Sequence, residues 1–311
     1  MKVVAIIPCF NEELSIANTI RSIRSAKNKL EIIVVDNGST DNTFLIAKKS
    51  GATVLREPKK GKGFAVRRAF ANLPKETEIV FIVDGDDTYG IENLGKAIKL
   101  VLVDGYDMVV GERKTVNSND STRKAEFRIG HSFGNLILSY VFRKLFKIDI
   151  ADTLSGWRVL SRSFVDSFPG GDSAFEIEAE LNAHAFTLSA AVCEVPVDYI
   201  GRLDGSNSKL RTYRDGWLIL RRNFRLYKSE RPMLAYSLLS TPWILISAIL
   251  LIRVLNTYFE TGLVPQFPSL IAAVGGFIVS CNLWVTGMIL ERVRLQRVAL
   301  ARFAYSRSKS Y

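Results

Sequence analysis

The sequence predicts an α/β fold, a mostly parallel sheet with helices on both faces, followed by two C-terminal transmembrane helices. Short β-branched runs alternate with helical patterns from Met1 to about Val110, and the runs lack the polar alternation of half-exposed strands. Residues 233–252 carry no charge and supply about the 20 residues a bilayer-crossing helix needs; residues 267–290 do the same.

Taken in order, the strands are residues 3–7, 31–35, 52–56, 79–83 and 107–110. The helices between the first four are residues 12–26, 41–50 and 63–73, with Ser39 or Thr40 placed to cap the second. The third follows a basic, glycine-rich turn, Lys59-Lys60-Gly61-Lys62-Gly63. Beyond Arg113 come a polar basic loop and an amphipathic stretch (Phe133, Leu136, Ile137, Tyr140, Val141) that suits either an ordinary surface or a membrane interface. A basic, aromatic-laced segment (Arg211 to Arg231, with Trp217, Phe224 and Tyr227) precedes the first apolar stretch, and Arg292, Arg294, Arg297, Arg302, Arg307 and Lys309 follow the second. Only Arg253 is basic in the connector at 253–266. The positive-inside rule therefore expects both termini in the cytoplasm. The organisation expected is a catalytic domain at 1–210, an interfacial segment at 211–232, a membrane hairpin at 233–291 and a basic cytoplasmic tail at 292–311.

With 42 Lys and Arg against 31 Asp and Glu, the net charge of +11 calls for anionic partners. Nucleic acid is disfavoured, because much of this charge flanks the apolar stretches. The three cysteines, Cys9, Cys193 and Cys281, have neither disulfide-framework nor metal-ligand spacing and are expected to be reduced.

In an open α/β sheet, ligands bind beyond the carboxyl ends of the strands. Three such ends carry acids here: Asn11-Glu12 after the first, Asp36-Asn37-Gly38-Ser39 after the second, and Asp84-Gly85-Asp86-Asp87 after the fourth. One Asp after a strand is more often a turn former; three acidic ends converging are harder to explain so. Asp84 and Asp86 at one buried tip would repel unless a cation or proton sat between them, which a divalent cation with oxygen ligands answers. No GxGxxG follows a strand, which disfavours a dinucleotide oxidoreductase.

The stretches Ile7-Pro8-Cys9-Phe10-Asn11-Glu12, Val34-Val35-Asp36-Asn37-Gly38-Ser39-Thr40-Asp41 and Val83-Asp84-Gly85-Asp86 together resemble the nucleotide-binding half of family 2 glycosyltransferases with the GT-A fold. Farther on, Gly111-Glu112-Arg113, Asp152 to Arg158, Phe175 to Glu178, Glu194-Val195-Pro196, Arg202 and Ser208-Lys209-Leu210 resemble the branch acting on polyprenyl phosphates, which includes dolichyl-phosphate mannose synthase. The resemblance implies that Pro8, Phe10, Glu12 and Asp36 hold the nucleoside, that Asp84 lies by the nucleotide, and that Asp86, with Asp84, binds Mg2+ or Mn2+. It places Arg113 with the donor and Arg128, Ser132, Arg202 and Lys209 with the acceptor phosphate; Asp86, Arg128 and Arg202 carry the chemistry. Thr88 stands where some relatives have a Gln as a further metal ligand.

The activity implied is inverting transfer of a hexose from a GDP-mannose or UDP-glucose type donor to a dolichyl or undecaprenyl phosphate at the cytoplasmic membrane face. A phosphate nucleophile is already anionic, so no strong base is required; a hydroxyl acceptor would need a carboxylate, Asp152 or Glu176 being the candidates. The alternatives are a transferase using a saccharide or other hydroxyl acceptor, and a non-catalytic membrane-tethered nucleotide-sugar-binding protein. A processive synthase is disfavoured, since neither QxxRW nor further spans are present. A homo-oligomer is compatible with the sequence.

Overall fold

The computed structural model describes residues 2–26, 30–115, 150–169, 177–200, 228 and 231–309. The described strands are β1 (Lys2–Cys9), β2 (Glu31–Asp36), β3 (Thr53–Arg56), β4 (Thr77–Ile82), β5 (Met108–Thr115), β6 (Arg158–Ser161) and β7 (Val192–Tyr199). The helices are α1 (Ile16–Ala26), α2 (Thr43–Lys49), α3 (Lys62–Phe70), α4 (Leu94–Leu102), α5 (Arg162–Asp166), α6 (Ile177–Leu188), α7 (Pro232–Thr261) and α8 (Phe267–Lys309).

The strands form one sheet in the order β3-β2-β1-β4-β6-β5-β7. The chain winds outward from β1 to β3 and returns to β4 on the other side of β1, so the carboxyl ends of β1 and β4 flank a switch point in strand order. Pairing is parallel throughout except at β6, which is antiparallel to both β4 and β5. Because successive side chains point to opposite faces, β1 feeds two cores. Val3, Ala5, Ile7 and Cys9 pack with α1 and α4 residues such as Ile16, Ile20, Leu94 and Ile98. Val4 and Ile6 pack with Ala65, Val66 and Ala69 of α3, Phe164 of α5 and Leu181 of α6. Burial on both faces explains the unbroken apolar runs.

Three boundaries differ from the sequence reading for local reasons. Helix α1 starts at Ile16 rather than at residue 12, since Asn11 adopts a left-handed φ of 56° and residues 12–15 form a turn closed by the Ile16 N–H donating to Glu12 O (3.0 Å). Neither Ser39 nor Thr40 caps α2: the Ser39 N–H donates to Asp36 Oδ1 (3.0 Å), and Asp41 accepts from the Thr43 N–H at the helix start (3.0 Å). The second apolar stretch does not end its helix near residue 290, because residues 291–309 contain no Gly or Pro and keep α8 continuous to Lys309.

The chain divides into two compact units, residues 1–210 with 301–311, and residues 211–300. In the first, the end of α8 is part of the sheet's own packing: Tyr305 Oη donates to Asp107 Oδ1 (2.7 Å), Arg302 Nε to Thr187 O (2.9 Å) and Ser308 Oγ to Asp166 Oδ2 (2.8 Å). The second unit is a pair of helices, both long and apolar enough to cross a membrane. Its seam is made of small residues. Ser280 Oγ donates to Ser240 O (3.3 Å), and a Cβ on Gly276 would collide with Ser247, which is how helices approach closely without a hydrophobic drive between them. Leu238, Leu245, Ile249, Phe277 and Ile289 are exposed.

Candidate active site

The parallel register sets the acids side by side. Cys9 pairs with Asp36 across β1 and β2, the Asn37 N–H donates to Cys9 O (2.9 Å), and the Val83 N–H donates to Ile6 O (3.1 Å), so three strand ends stop at one level. The buried Cys9 thiol reports the result: desolvation pushes its pKa well up, and the charges of Glu12, Asp84, Asp36 and Asp86 push it further. Four carboxylates from three separate motifs thus lie at the same edge of the sheet as Cys9. Gly85 is required there, because a Cβ would come within 2.6 Å of Cys9 Sγ. Its carbonyl accepts from Ser15 Oγ (2.8 Å) and Thr19 Oγ1 (3.3 Å), which ties the Asp84–Asp86 turn to α1.

Pro8 is buried in β1, and Phe10 and Glu12 are half-buried just beyond it, with the Glu12 N–H donating to Thr43 Oγ1 (2.8 Å). Asp36 is buried and bonded by Ser39. Asp86 is also buried, and Thr88 Oγ1 donates to its Oδ1 (2.6 Å). Thr88, at the position where some relatives have a Gln, therefore orients Asp86. Asp84 is more open, with 28% of its side chain exposed, and is paired with the Lys62 ammonium.

Lys62 also donates to Glu178 Oε1 (2.5 Å) on α6. Burial opposes its charge, but Asp84 and Glu178 outweigh this and hold its pKa well above the ordinary lysine range. Sequence reasoning named Asp84 but missed Lys62 and Glu178 as site residues. The Lys59–Gly63 turn was visible, but its contact with Glu178 spans 116 positions.

Arg113 makes a bidentate pair with Asp152, Nε to Oδ2 (2.5 Å) and Nη2 to Oδ1 (2.8 Å), and lies over the Tyr199 ring. Burial works against its charge and the Asp152 pairing more than restores it. Asp152 thus has both oxygens engaged by a guanidinium, which leaves it poorly disposed to act as a base. The loop after it is fixed by Arg158, a fully buried guanidinium that donates to Ser155 O (3.0 Å), Thr153 O (3.0 Å) and Asn182 Oδ1 (2.6 Å). Desolvation lowers its pKa to about 10, so it stays charged at neutral pH. Gly156 in that loop donates its N–H to Tyr89 Oη (2.9 Å) and abuts the Asp84 carboxylate. Arg128, Ser132, Glu176, Arg202 and Lys209 lie outside the described residues.

Among the described residues no group of three or more His, Cys, Asp or Glu is arranged to hold a metal ion. Asp84 and Asp86 nonetheless fit a hard cation that completes its shell with ligand phosphate oxygens and water, as Mg2+ commonly does. A cationic group, the Lys62 ammonium, already rests on Asp84.

Acids gathered at the switch point of a doubly covered α/β sheet lie where sheets of this class bind their ligands. Residues 4–168 match the family model for glycosyl transferase family 2, and the chain belongs to that family. It is 34% identical over 227 residues to glycosyltransferase AglJ of Haloferax volcanii, covering 73% of this chain and 72% of that protein. It is 30% identical over 223 residues to the dolichyl-phosphate hexose transferase of the same organism, covering 71% and 92%. In fold it is similar to glucosyl-3-phosphoglycerate synthase from Mycobacterium tuberculosis, solved with Mn2+, UDP and phosphoglyceric acid, with a TM-score of 0.57 and 21% identity over 73% of this chain and 78% of that one. The chain is a glycosyltransferase, and the GT-A architecture and family expected from its motifs are borne out.

Proposed function

We propose that the protein transfers a hexose, with inversion, from a nucleotide-diphosphate sugar of the GDP-mannose or UDP-glucose type to a polyprenyl phosphate. The observation that carries this reading is the alignment of the β1, β2 and β4 ends, which brings the stretches bearing Glu12, Asp36, Asp84 and Asp86 to one edge of the sheet, in a chain that also holds two apolar helices of membrane length. The likeness to a dolichyl-phosphate hexose transferase over nearly all of that protein's length supports the acceptor class. In this reading residues 1–210 are catalytic, 211–232 interfacial, 233–291 the membrane hairpin and 292–311 cytoplasmic, with the active site on the cytoplasmic side.

Glu12 and Asp36 accept hydrogen bonds from the nucleoside, with Pro8 and Phe10 against its base. Asp86 and Asp84 would hold Mg2+ or Mn2+, which supplies neutralising charge for the departing diphosphate. Arg113 stays near the donor through Asp152. Arg128, Ser132, Arg202 and Lys209 bind the acceptor phosphate, guanidinium groups being suited to bidentate phosphate contacts. That phosphate needs no deprotonation, consistent with Asp152 being committed to Arg113.

The test is transfer from radiolabelled sugar nucleotides in detergent with and without polyprenyl phosphate. Label should enter the organic phase and be released by mild acid, as from a glycosyl phosphodiester. Label found instead in a water-soluble product, with no lipid species in a pulse-chase, would favour a hydroxyl acceptor.

A further inference from the structure

Lys62 opens α3 directly after a turn shaped by Asn37, the neighbour of Asp36. Asn37 Nδ2 donates to Glu57 O (3.1 Å) and Lys59 O (2.7 Å), and its Oδ1 accepts from the Gly61 N–H (2.6 Å). The nucleoside-binding strand end thereby aims the lysine across the pocket. Its ammonium lies between Asp84 Oδ1 and Glu178 Oε1, and Glu178 is 8% exposed. One positive charge is shared by two carboxylates, one at the sheet edge and one on α6.

Resting on the cation reading above, we propose that Lys62 is a resident counter-ion for Asp84, which a divalent cation must displace, and that Glu178 is the carboxylate that keeps the displaced ammonium. Asp84 cannot give the same oxygen to the ammonium and to a metal ion, and two cations at that distance repel. Glu178 is too buried to stand as an unpaired anion, so the ammonium stays on it when it leaves Asp84. The ammonium offsets one of the negative charges at this edge of the sheet, so a cation that displaces it gains less until a diphosphate arrives with charge of its own. Cation and donor then bind cooperatively, and cation binding without donor is weak.

The two partners of the ammonium give variants of opposite sign. Lys62→Met removes the competitor and should raise donor-free Mn2+ affinity on the order of tenfold. Glu178→Gln leaves the ammonium on Asp84 alone and should lower it severalfold. Both are read by equilibrium dialysis or manganese EPR on the full-length protein in detergent, without turnover, with Asp86→Ala as the non-binding control. If Lys62→Met does not fold by circular dichroism, the sign of the Glu178→Gln effect decides. Wild-type Mn2+ affinity in both folded variants would overturn the counter-ion role while leaving the cation reading intact. Absence of Mn2+ binding in every form, even with nucleoside diphosphate present, would remove both.

Discussion

Gly156 sits so close to Asp84 that any side chain there meets the carboxylate, while its N–H is held by Tyr89. Gly156→Ala should therefore displace Asp84 rather than unfold the protein. Misplacement of a site group by about 1 Å costs about 100-fold in rate, and overpacking of this kind about 1–3 kcal/mol in stability. Nucleoside diphosphate release and thermal unfolding separate the two, and wild-type turnover in this variant would show that Asp84 has freedom to move. Asp86→Ala should lower turnover by orders of magnitude on the order of those seen when a transition-state stabilising group is removed, and excess EDTA should act on the wild type in the same direction. Retained activity under either condition would dismiss the cation reading. Asp36, Asp84 and Asp86 were legible in the sequence because each follows an apolar strand within a few residues. Gly156, Arg158 and Lys62 were not, since their roles lie in contacts with Asp84, Asn182 and Glu178 that only the folded sheet makes.

Helix α6 joins the site to the core. On it Glu178 pairs with Lys62, Glu180 with Arg67, and Asn182 with Arg158, while His184 is buried between Phe164 and Phe168, with ring centroids at 4.9 and 5.3 Å. Desolvation lowers the His184 pKa to about 4, against about 6.5 for an unfolded chain. The native state holds His184 neutral, so its contribution is complete above pH 6.5 and is lost as the pH falls towards 4. The full difference corresponds to about 3 kcal/mol. Melting temperatures between pH 7 and 5 should fall more steeply for the wild type than for His184→Gln; parallel curves would mean that the imidazole titrates normally. At this scale β1, β2 and β4 were readable because burial on both faces leaves continuous β-branched runs. Strand β6 was not, having four residues that begin with Arg158, and β7 alternates exposed Pro196 and Asp198 with buried Val195 and Val197, a pattern that reads as a loop motif.

The whole chain combines a sheet that gathers acids at one edge with a helix pair whose outward residues are apolar. If that pair spans the membrane as proposed, the protein should leave membranes only with detergent, and a C-terminal tag should be protected in sealed right-side-out vesicles; external labelling would reverse the topology. The contacts of Arg302, Tyr305 and Ser308 with Thr187, Asp107 and Asp166 add a consequence for how such a molecule is made. These residues form the end of α8, after both apolar stretches, yet they complete the packing of a unit that includes β1. On the ribosome, most of the catalytic unit can assemble early but is finished only after α7 and α8 have emerged. A fragment ending at Leu210 should accordingly melt lower and be cleaved faster in limited proteolysis than one to which residues 301–311 are rejoined by a flexible linker. The enzyme's closing stitch thus comes from beyond its two apolar stretches, tying completion of the first unit to prior synthesis of both.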